Sequence, residues 1–297
     1  MKLVLFDAHQ PGVLKDGGVV DIGARVPRER TGQETIQTII KEFESLRSGI
    51  EREVEEGKVI PLSQVRLRAP LPRPSNILAM AGNYKEHGGR PPAPISVFFK
   101  SPESVLDPGG SVVLPSIEFP ICHHEAELGL VIGPRKAKDV SQSQAYDYIF
   151  GYTAAVDVSA RNSVPGFMHK CFDTFTPMGP CIVTRDEIPN AQNLHVQLRV
   201  NGEVRHDYNT DDMLNQIPRI MEYVTMIMTL NPGDLVICGT NHEGLGPLQD
   251  GDSAEMEIDA IGKFSFTVRD PMKRKWYNST DVEAEKQGIT PRQQLVR

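Results

Sequence analysis

The spacing of hydrophobic and polar residues changes along the chain, and each change predicts a different kind of element. Near the N-terminus, short apolar runs alternate with turn residues, which is typical of a β meander over residues 1–26. From Thr31 the apolar residues follow the period of a helix, and the same period over residues 211–229 predicts a second long helix. The first helical stripe consists of Ile36, Ile39, Ile40 and Phe43.

Elsewhere the apolar runs are short and are separated by glycine and proline. This pattern predicts many short strands, together with a short helix over residues 141–148. Many strands with few helices indicate a mixed β/α, mainly β fold. Such a fold is a barrel or roll rather than a Rossmann fold or a TIM barrel.

The chain divides near residue 70, where Pro70, Pro72 and Pro74 form an extended connector. We predict a small N-terminal domain over residues 1–69 and a main domain over residues 70–270. Residues 271–297 are polar and are expected to form a C-terminal tail or a dimer arm. A chain of 297 residues is long enough for one large domain and one small domain.

Charge and cysteine content exclude several classes of protein. The net charge is −7 and no basic run occurs, so neither nucleic acid nor an anionic membrane is an expected partner. No apolar stretch is long enough to span a bilayer, and the first residues lack the layout of a signal peptide. The four cysteines show no C-x-x-C spacing, which indicates reduced thiols in a cytoplasmic protein.

Candidate chemistry begins with two glutamates in an apolar run. Glu125 and Glu127 alternate with apolar residues, so a strand here would project both carboxylates to the same face. A second apolar stretch, residues 151–156, leads directly to Asp157. Three carboxylates on apolar elements suit a hard divalent cation such as Mg²⁺ or Mn²⁺. A solvated edge strand explains the alternating charges equally well, and the pattern alone does not decide.

Taken in order, the motifs of residues 77–268 resemble the fumarylacetoacetate hydrolase family, in particular its acylpyruvate hydrolases and its 2-hydroxyhepta-2,4-diene-1,7-dioate isomerases. The landmarks are Gly82-Asn83-Tyr84-x-x-His87, Phe99-Lys100, Glu125-x-Glu127, Gly151-Tyr152-Thr153-x-x-x-Asp157, Lys170-x-Phe172-Asp173, Asn209-Thr210-x-Asp212, and Pro232-Gly233-Asp234 ahead of Gly239-Thr240. The resemblance implies the family's distorted β-roll with a small N-terminal domain, assembled as a homodimer.

The resemblance also implies the site residues. It implies that the counterparts of Glu125, Glu127 and Asp157 hold Mg²⁺ or Mn²⁺, with Ca²⁺ as a further possibility. It makes Lys170 and His87 the catalytic candidates. The candidates for substrate binding are Tyr152, Arg161, Thr240 and Asn241. Two of these residues have an equally good structural interpretation. Tyr152 could be a packing residue, and Arg161 could form a structural ion pair.

Two departures from the family pattern bear on the reaction. Hydrolases of the family commonly place a glutamate three residues after the motif histidine, where this chain has Arg90. The glutamine found after the metal aspartate in some relatives has no evident counterpart in Arg161-Asn162-Ser163. Without a carboxylate partner His87 is a weaker base. Glu86, His242 and Glu243 are the alternatives.

Three functions remain open at this point. The first is a metal-dependent hydrolase that cleaves C–C bonds in acylpyruvates or related β-diketo acids through a metal-bound enolate. The second is a decarboxylase, tautomerase or isomerase of a 2-oxo diacid, which keeps the metal but needs no activated water. The third, from another class, is a non-catalytic binding protein. In each case the expected partner is a small 2-oxo acid.

Overall fold

The protein is described from a computed structural model, which describes residues 1–86 and 94–295. The predicted catalytic residue His87 and the departure at Arg90 therefore lie outside the described residues. Within the described ranges, no helix is both long and apolar enough to cross a membrane.

Most of the described chain is β-structure, as the apolar pattern predicts. The strands are β1 (Lys2–Phe6), β2 (Gln10–Lys15), β3 (Gly18–Asp21), β4 (Val59–Pro61), β5 (Leu67–Arg68), β6 (Ile77–Met80), β7 (Val97–Lys100), β8 (Val105–Leu106), β9 (Ser111–Val113), β10 (Ile121–His123), β11 (Ala126–Ile132), β12 (Ile149–Val156), β13 (Ser159–Arg161), β14 (Thr176–Thr184), β15 (His195–Val200), β16 (Glu203–Asn209), β17 (Leu235–Ile237), β18 (Ser253–Ile258) and β19 (Gly262–Arg269). The helices are α1 (Gly32–Glu56), α2 (Ile217–Ile227) and α3 (Asp281–Lys286).

The two longest helices follow the predicted periodicity, and both ends of the second are corrected. Helix α1 begins after Thr31, whose side chain accepts a hydrogen bond from Glu34 N at 3.1 Å, and its apolar stripe is buried. Helix α2 is shorter than the predicted 211–229, because Pro218 fixes its first turn and Thr210–Asp212 forms a separate 3-10 turn. The helix predicted over residues 141–148 is a 3-10 helix, Gln142–Tyr148.

The largest sheet has the strand order β4-β3-β2-β1-β14-β12-β11-β17-β6-β7, and a second sheet has the order β16-β15-β18-β19-β9. Strand β1 pairs antiparallel with β14, with Leu3 opposite Ile182, so the N-terminal strands belong to the same sheet as β11 and β12. Strand β11 lies in the middle of the large sheet, between β12 and β17. The expected mixed, mainly β architecture is thereby confirmed.

The segment after residue 270 packs on its own chain. Arg274 and Trp276 are fully buried. The guanidinium of Arg274 forms an ion pair with Asp270 at 2.7 Å, donates to the carbonyl oxygens of Pro115 and Ile117, and lies over an aromatic ring. Helix α3 follows, with Thr280 as its N-cap. This segment is therefore held in place by buried contacts.

Replacing Arg274 with methionine is expected to lower the free energy of unfolding by about 3–5 kcal/mol, because Asp270 would stay buried without its cation. Urea unfolding monitored by tryptophan fluorescence measures the loss. The matched control is Lys273→Met, which removes an exposed ion pair with Asp250 and should cost less than about 1 kcal/mol. Equal, small losses for both variants would contradict the proposed anchoring.

Candidate metal centre and active site

Three carboxylates come together at the adjoining ends of two neighbouring strands. Glu127 lies on β11, whereas Glu125, predicted on the same strand, immediately precedes it, and Asp157 immediately follows β12. In the register of β11 and β12, Glu127 lies opposite Ala155, so the end of β12 that leads to Asp157 adjoins the start of β11. Asp157 N also donates a 2.8 Å hydrogen bond to the carbonyl oxygen of Glu125. Ligand oxygens of Glu125, Glu127 and Asp157 lie within 4.8 Å of one another, and all three residues are buried. Because β11 is a central strand, the solvated-edge interpretation is wrong.

The hydrogen bonding of Glu127 tests whether these residues fit a divalent cation. Its Oε2 accepts a 2.6 Å hydrogen bond from Gly239 N, whereas its buried Oε1 has no hydrogen-bond partner within residues 1–86 and 94–295. Burial, together with the charges of Asp157 and Glu125, raises the pKa of Glu127 well above its usual value. A hard cation would supply the missing counter-charge and coordinate the orphaned oxygen, so the donor set fits.

Two buried lysines contact Asp157 from different elements. Lys170, at the end of the 3-10 helix Gly166–Lys170, places Nζ 2.5 Å from Asp157 Oδ2 and 2.8 Å from Glu125 Oε1. Lys100, the last residue of β7, places Nζ 2.5 Å from Asp157 Oδ1. Burial acts to lower the pKa of Lys170, but the charges of Asp157 and Glu125 outweigh it and raise that pKa. The two carboxylates therefore favour the protonated form of Lys170.

Lys100 is a site residue to which the sequence analysis gave no role. The Phe99-Lys100 pair was only a landmark of the family resemblance. A signal was present, because a lysine that closes the apolar run of residues 97–99 shares the face of Phe98, the buried side of a short strand. The carboxylate that neutralises this charge belongs to Asp157. It is 57 residues away in sequence and could not be identified from the pattern.

Arg161 contacts the carboxylate cluster directly. Its Nη2 forms a very short ion pair with Glu125 Oε1, and its Nε donates to His123 Nδ1 at 3.1 Å. Burial acts to raise the pKa of Glu125, but the charges of Lys170 and Arg161 outweigh it and hold that pKa well below its usual range. In this structure Arg161 is thus engaged in an ion pair with a protein carboxylate, one of its two predicted interpretations.

The structure does not bring Tyr152 to the carboxylates. Tyr152 precedes Asp157 by five residues on an extended strand, a separation of roughly 16 Å at about 3.3 Å per residue. It is buried in the main hydrophobic cluster, opposite Leu130 and Val183. Burial and the neighbouring Tyr146 raise the pKa of its hydroxyl. These contacts favour the packing interpretation over substrate binding.

Thr240 and Asn241 lie in the loop that begins at Gly239, the residue that binds Glu127. Both are buried. The side chain of Asn241 accepts a 2.8 Å hydrogen bond from Glu243 N and caps the short 3-10 helix His242–Gly244. Thr240 lies beside the hydroxyl of Tyr208. Both residues directly follow the glycine that binds Glu127, and their binding of substrate stays a prediction.

The same loop carries a carboxylate–imidazole pair. His242 Nδ1 lies 2.8 Å from Glu86 Oε1, and His242 N lies 3.4 Å from the same oxygen. Glu86 has a φ of 54°, a left-handed conformation that non-glycine residues seldom adopt and that is often found at functional sites. His242 follows Gly239, the residue whose N–H binds Glu127, by three positions, so the pair lies on the loop that adjoins the carboxylate cluster.

Comparisons with known proteins agree with this geometry. A family model described as fumarylacetoacetate (FAA) hydrolase C-terminal matches residues 75–269. The chain is 31% identical over 288 residues to maleylpyruvate hydrolase of Aquipseudomonas alcaligenes, covering 91% of this chain and 99% of that one. It is 32% identical over 264 residues to the mitochondrial oxaloacetate tautomerase FAHD2A of Bos taurus, covering 83% and 82%.

Among solved structures, maleylpyruvate hydrolase from Sphingobium sp. SYK-6, in complex with manganese(II) and pyruvate, has a TM-score of 0.83 to this chain. The sequence identity is 33%, and the match covers 91% of this chain and 99% of that one. The family match spans more than half of the sequence, and the structural match shows the same fold over nearly its whole length. The chain therefore belongs to the fumarylacetoacetate hydrolase family of metal-dependent enzymes.

Proposed function

We propose that the protein is a divalent-metal-dependent hydrolase that cleaves a C–C bond in acylpyruvate-type substrates. The observation that carries this proposal is the Glu86–His242 pair on the loop that begins at Gly239, which binds Glu127, because hydrolysis requires a group that takes a proton from water. The likeness to two maleylpyruvate hydrolases supports the same reaction class. We further propose Mg²⁺ or Mn²⁺ as the metal, since both prefer carboxylate oxygens.

Each side chain has a distinct task in this proposal. Glu125, Glu127 and Asp157 would hold the cation, which supplies Lewis-acid polarisation of the substrate carbonyl when bound. Lys170 stays protonated between Glu125 and Asp157, so it offers a fixed positive charge to the oxygen on which negative charge develops.

The proton transfer is assigned to His242. Glu86 engages Nδ1 of the imidazole, which orients the ring and stabilises its protonated form. In this proposal His242 exchanges the proton with water and later with the leaving group. His87 would be a second base if it faces the same water, and that role stays a prediction.

Replacing Glu86 with glutamine is expected to lower acylpyruvate hydrolysis by about 10²-fold, because His242 loses the carboxylate that makes it an effective base. The measurement is pyruvate release from maleylpyruvate and simpler acylpyruvates with Mn²⁺, followed by a coupled lactate dehydrogenase assay. The matched control is Glu118→Gln at an exposed position, which should leave the rate unchanged. Chelation should stop the reaction, and added Mn²⁺ or Mg²⁺ should restore it.

A second function, tautomerisation of a 2-oxo diacid such as oxaloacetate, is favoured by Arg90, which stands where hydrolases of the family commonly have glutamate. The 32% identity to an oxaloacetate tautomerase agrees with it. The products separate the two proposals. Enzyme-catalysed change in the enol absorbance of oxaloacetate, without pyruvate release from any acylpyruvate, would favour the tautomerase and contradict the hydrolase.

A further inference from the structure

A continuous set of polar contacts joins the C-terminal helix to a predicted metal ligand. Asp281, in the first turn of α3, places Oδ2 3.1 Å from His123 Nε2. On the other side of the ring, His123 Nδ1 accepts the 3.1 Å hydrogen bond from Arg161 Nε. The Nη2 group of the same guanidinium pairs with Glu125. Asp281 is thus connected to Glu125 through two intermediate side chains, although 156 residues separate them in the sequence.

These contacts define the tautomer of His123. An arginine Nε can only donate, so Nδ1 of the imidazole must accept. A neutral imidazole then carries its single proton on Nε2, the nitrogen that faces Asp281. A doubly protonated ring would place an Nδ1–H against the Nε–H of Arg161, so the observed contact requires the neutral ring. The carboxylate oxygen of Asp281, 3.1 Å from Nε2, is the acceptor nearest this proton and favours the tautomer that can receive the Arg161 hydrogen bond, although the contact itself lacks hydrogen-bond geometry.

Asp281 is itself held firmly. Thr280 and Glu283 form a reciprocal capping box at the start of α3, and Asp281 N donates a 2.7 Å hydrogen bond to the carbonyl oxygen of Leu245. A Cβ added at Gly246 would lie 2.7 Å from Ser279 O. The residues before α3 therefore pack closely against the loop that carries His242. The backbone that carries the Asp281 carboxylate is accordingly held in one position.

The guanidinium of Arg161 couples the orientation of His123 to the position of Glu125, because its donors are fixed in one plane. When Nε is bound to His123, the direction of Nη2 toward Glu125 is determined as well. The opposite tautomer of His123 would present an N–H to the Nε–H of Arg161, and the two donors would move apart. Glu125 would then lose one of the cations that orient its carboxylate, and partners of this kind commonly alter metal affinity by about 10- to 100-fold.

We propose that Asp281 is a positioning residue of the active site, which holds Arg161 against the metal ligand Glu125 by fixing the orientation and tautomer of His123. The C-terminal segment then helps to orient a ligand of the metal centre. This inference rests on the proposed metal-dependent function.

The test compares Asp281→Leu, which removes the acceptor, with Asp281→Asn, whose side-chain carbonyl keeps an acceptor without the charge. Asp281→Leu is expected to weaken Mn²⁺ binding by about 10- to 100-fold, measured by calorimetry on the purified full chain. Asp281→Asn is expected to recover most of that affinity. Glu285→Leu, at an exposed position on the same helix, is the control and should bind Mn²⁺ as the wild type does.

A second measurement covers the case in which Asp281→Leu does not fold. In the Mg²⁺-loaded wild type, ¹⁵N NMR of the imidazole should show His123 neutral with its proton on Nε2. A proton on Nδ1, equal Mn²⁺ affinity in Asp281→Leu and wild type, or equal impairment of the leucine and asparagine variants would each overturn the inference. Failure of the wild type to bind Mn²⁺ at all would instead overturn the proposed function.

Discussion

Replacing Glu127 with glutamine is expected to abolish turnover without lowering the stability of the metal-free protein. Glu127 is fully buried, and its nearest charges include the like charges of Asp157 and Glu125. The isosteric amide removes this repulsion and keeps an acceptor for Gly239 N. The same change takes a negative ligand from the predicted cation site, so the rate at saturating Mn²⁺ should fall by more than about 10²-fold.

Two measurements on the same samples check this prediction. Thermal unfolding in chelator should give a midpoint for Glu127→Gln equal to or above that of the wild type, while pyruvate release should be lost. The matched control is Glu257→Gln, an exposed glutamate on β18, which should change neither quantity. A variant that unfolds at a lower temperature and keeps its activity would show that Glu127 has a structural role only.

Replacing Lys170 with methionine is expected to reduce kcat by about 10²–10³-fold, equivalent to about 2.7–4 kcal/mol, with a much smaller change in KM. Methionine is close in length to lysine but carries no charge. Because Lys170 lies 2.5 Å from Asp157 and is held protonated, its charge is already in place before the reaction begins. A cation of this kind stabilises charge that develops mainly in the transition state.

Steady-state kinetics at saturating Mn²⁺ separates the two parameters. Lys136→Met removes a lysine charge from an exposed position and should leave both kcat and KM unchanged. If Lys170→Met raised KM alone, Lys170 would stabilise the bound substrate and the transition state equally. A near-normal kcat/KM would mean that Lys170 serves only to neutralise Asp157 and Glu125.

The sequence predicted the carboxylate cluster because the signal is local. Alternation on β11 and the apolar run before Asp157 are both visible in short windows of the chain. Whether β11 is an edge strand or a central strand depends on its pairing with β12 and β17. The pairing with β17 joins residues about a hundred positions apart, such as Gly129 and Ile237, so the local pattern could not decide it.

The partners of the carboxylates were harder to predict for the same physical reason. The partners come from separate elements of the chain: they are Lys100, the Glu86–His242 pair and Asp281. No local sequence motif around any of them indicates which residue it contacts. The C-terminal segment reads as polar in sequence, yet Arg274 is buried because Asp270 and two carbonyl oxygens satisfy it. Composition does not reveal such pairing.

The central claim is that the three carboxylates form one divalent-cation site. Titration of the metal-free protein with Mn²⁺, followed by the EPR signal of the free ion, measures it most directly. We predict one Mn²⁺ bound per chain in the wild type and a loss of that binding in Glu127→Gln. Mn²⁺ binding of unchanged stoichiometry and affinity in Glu127→Gln would contradict the account.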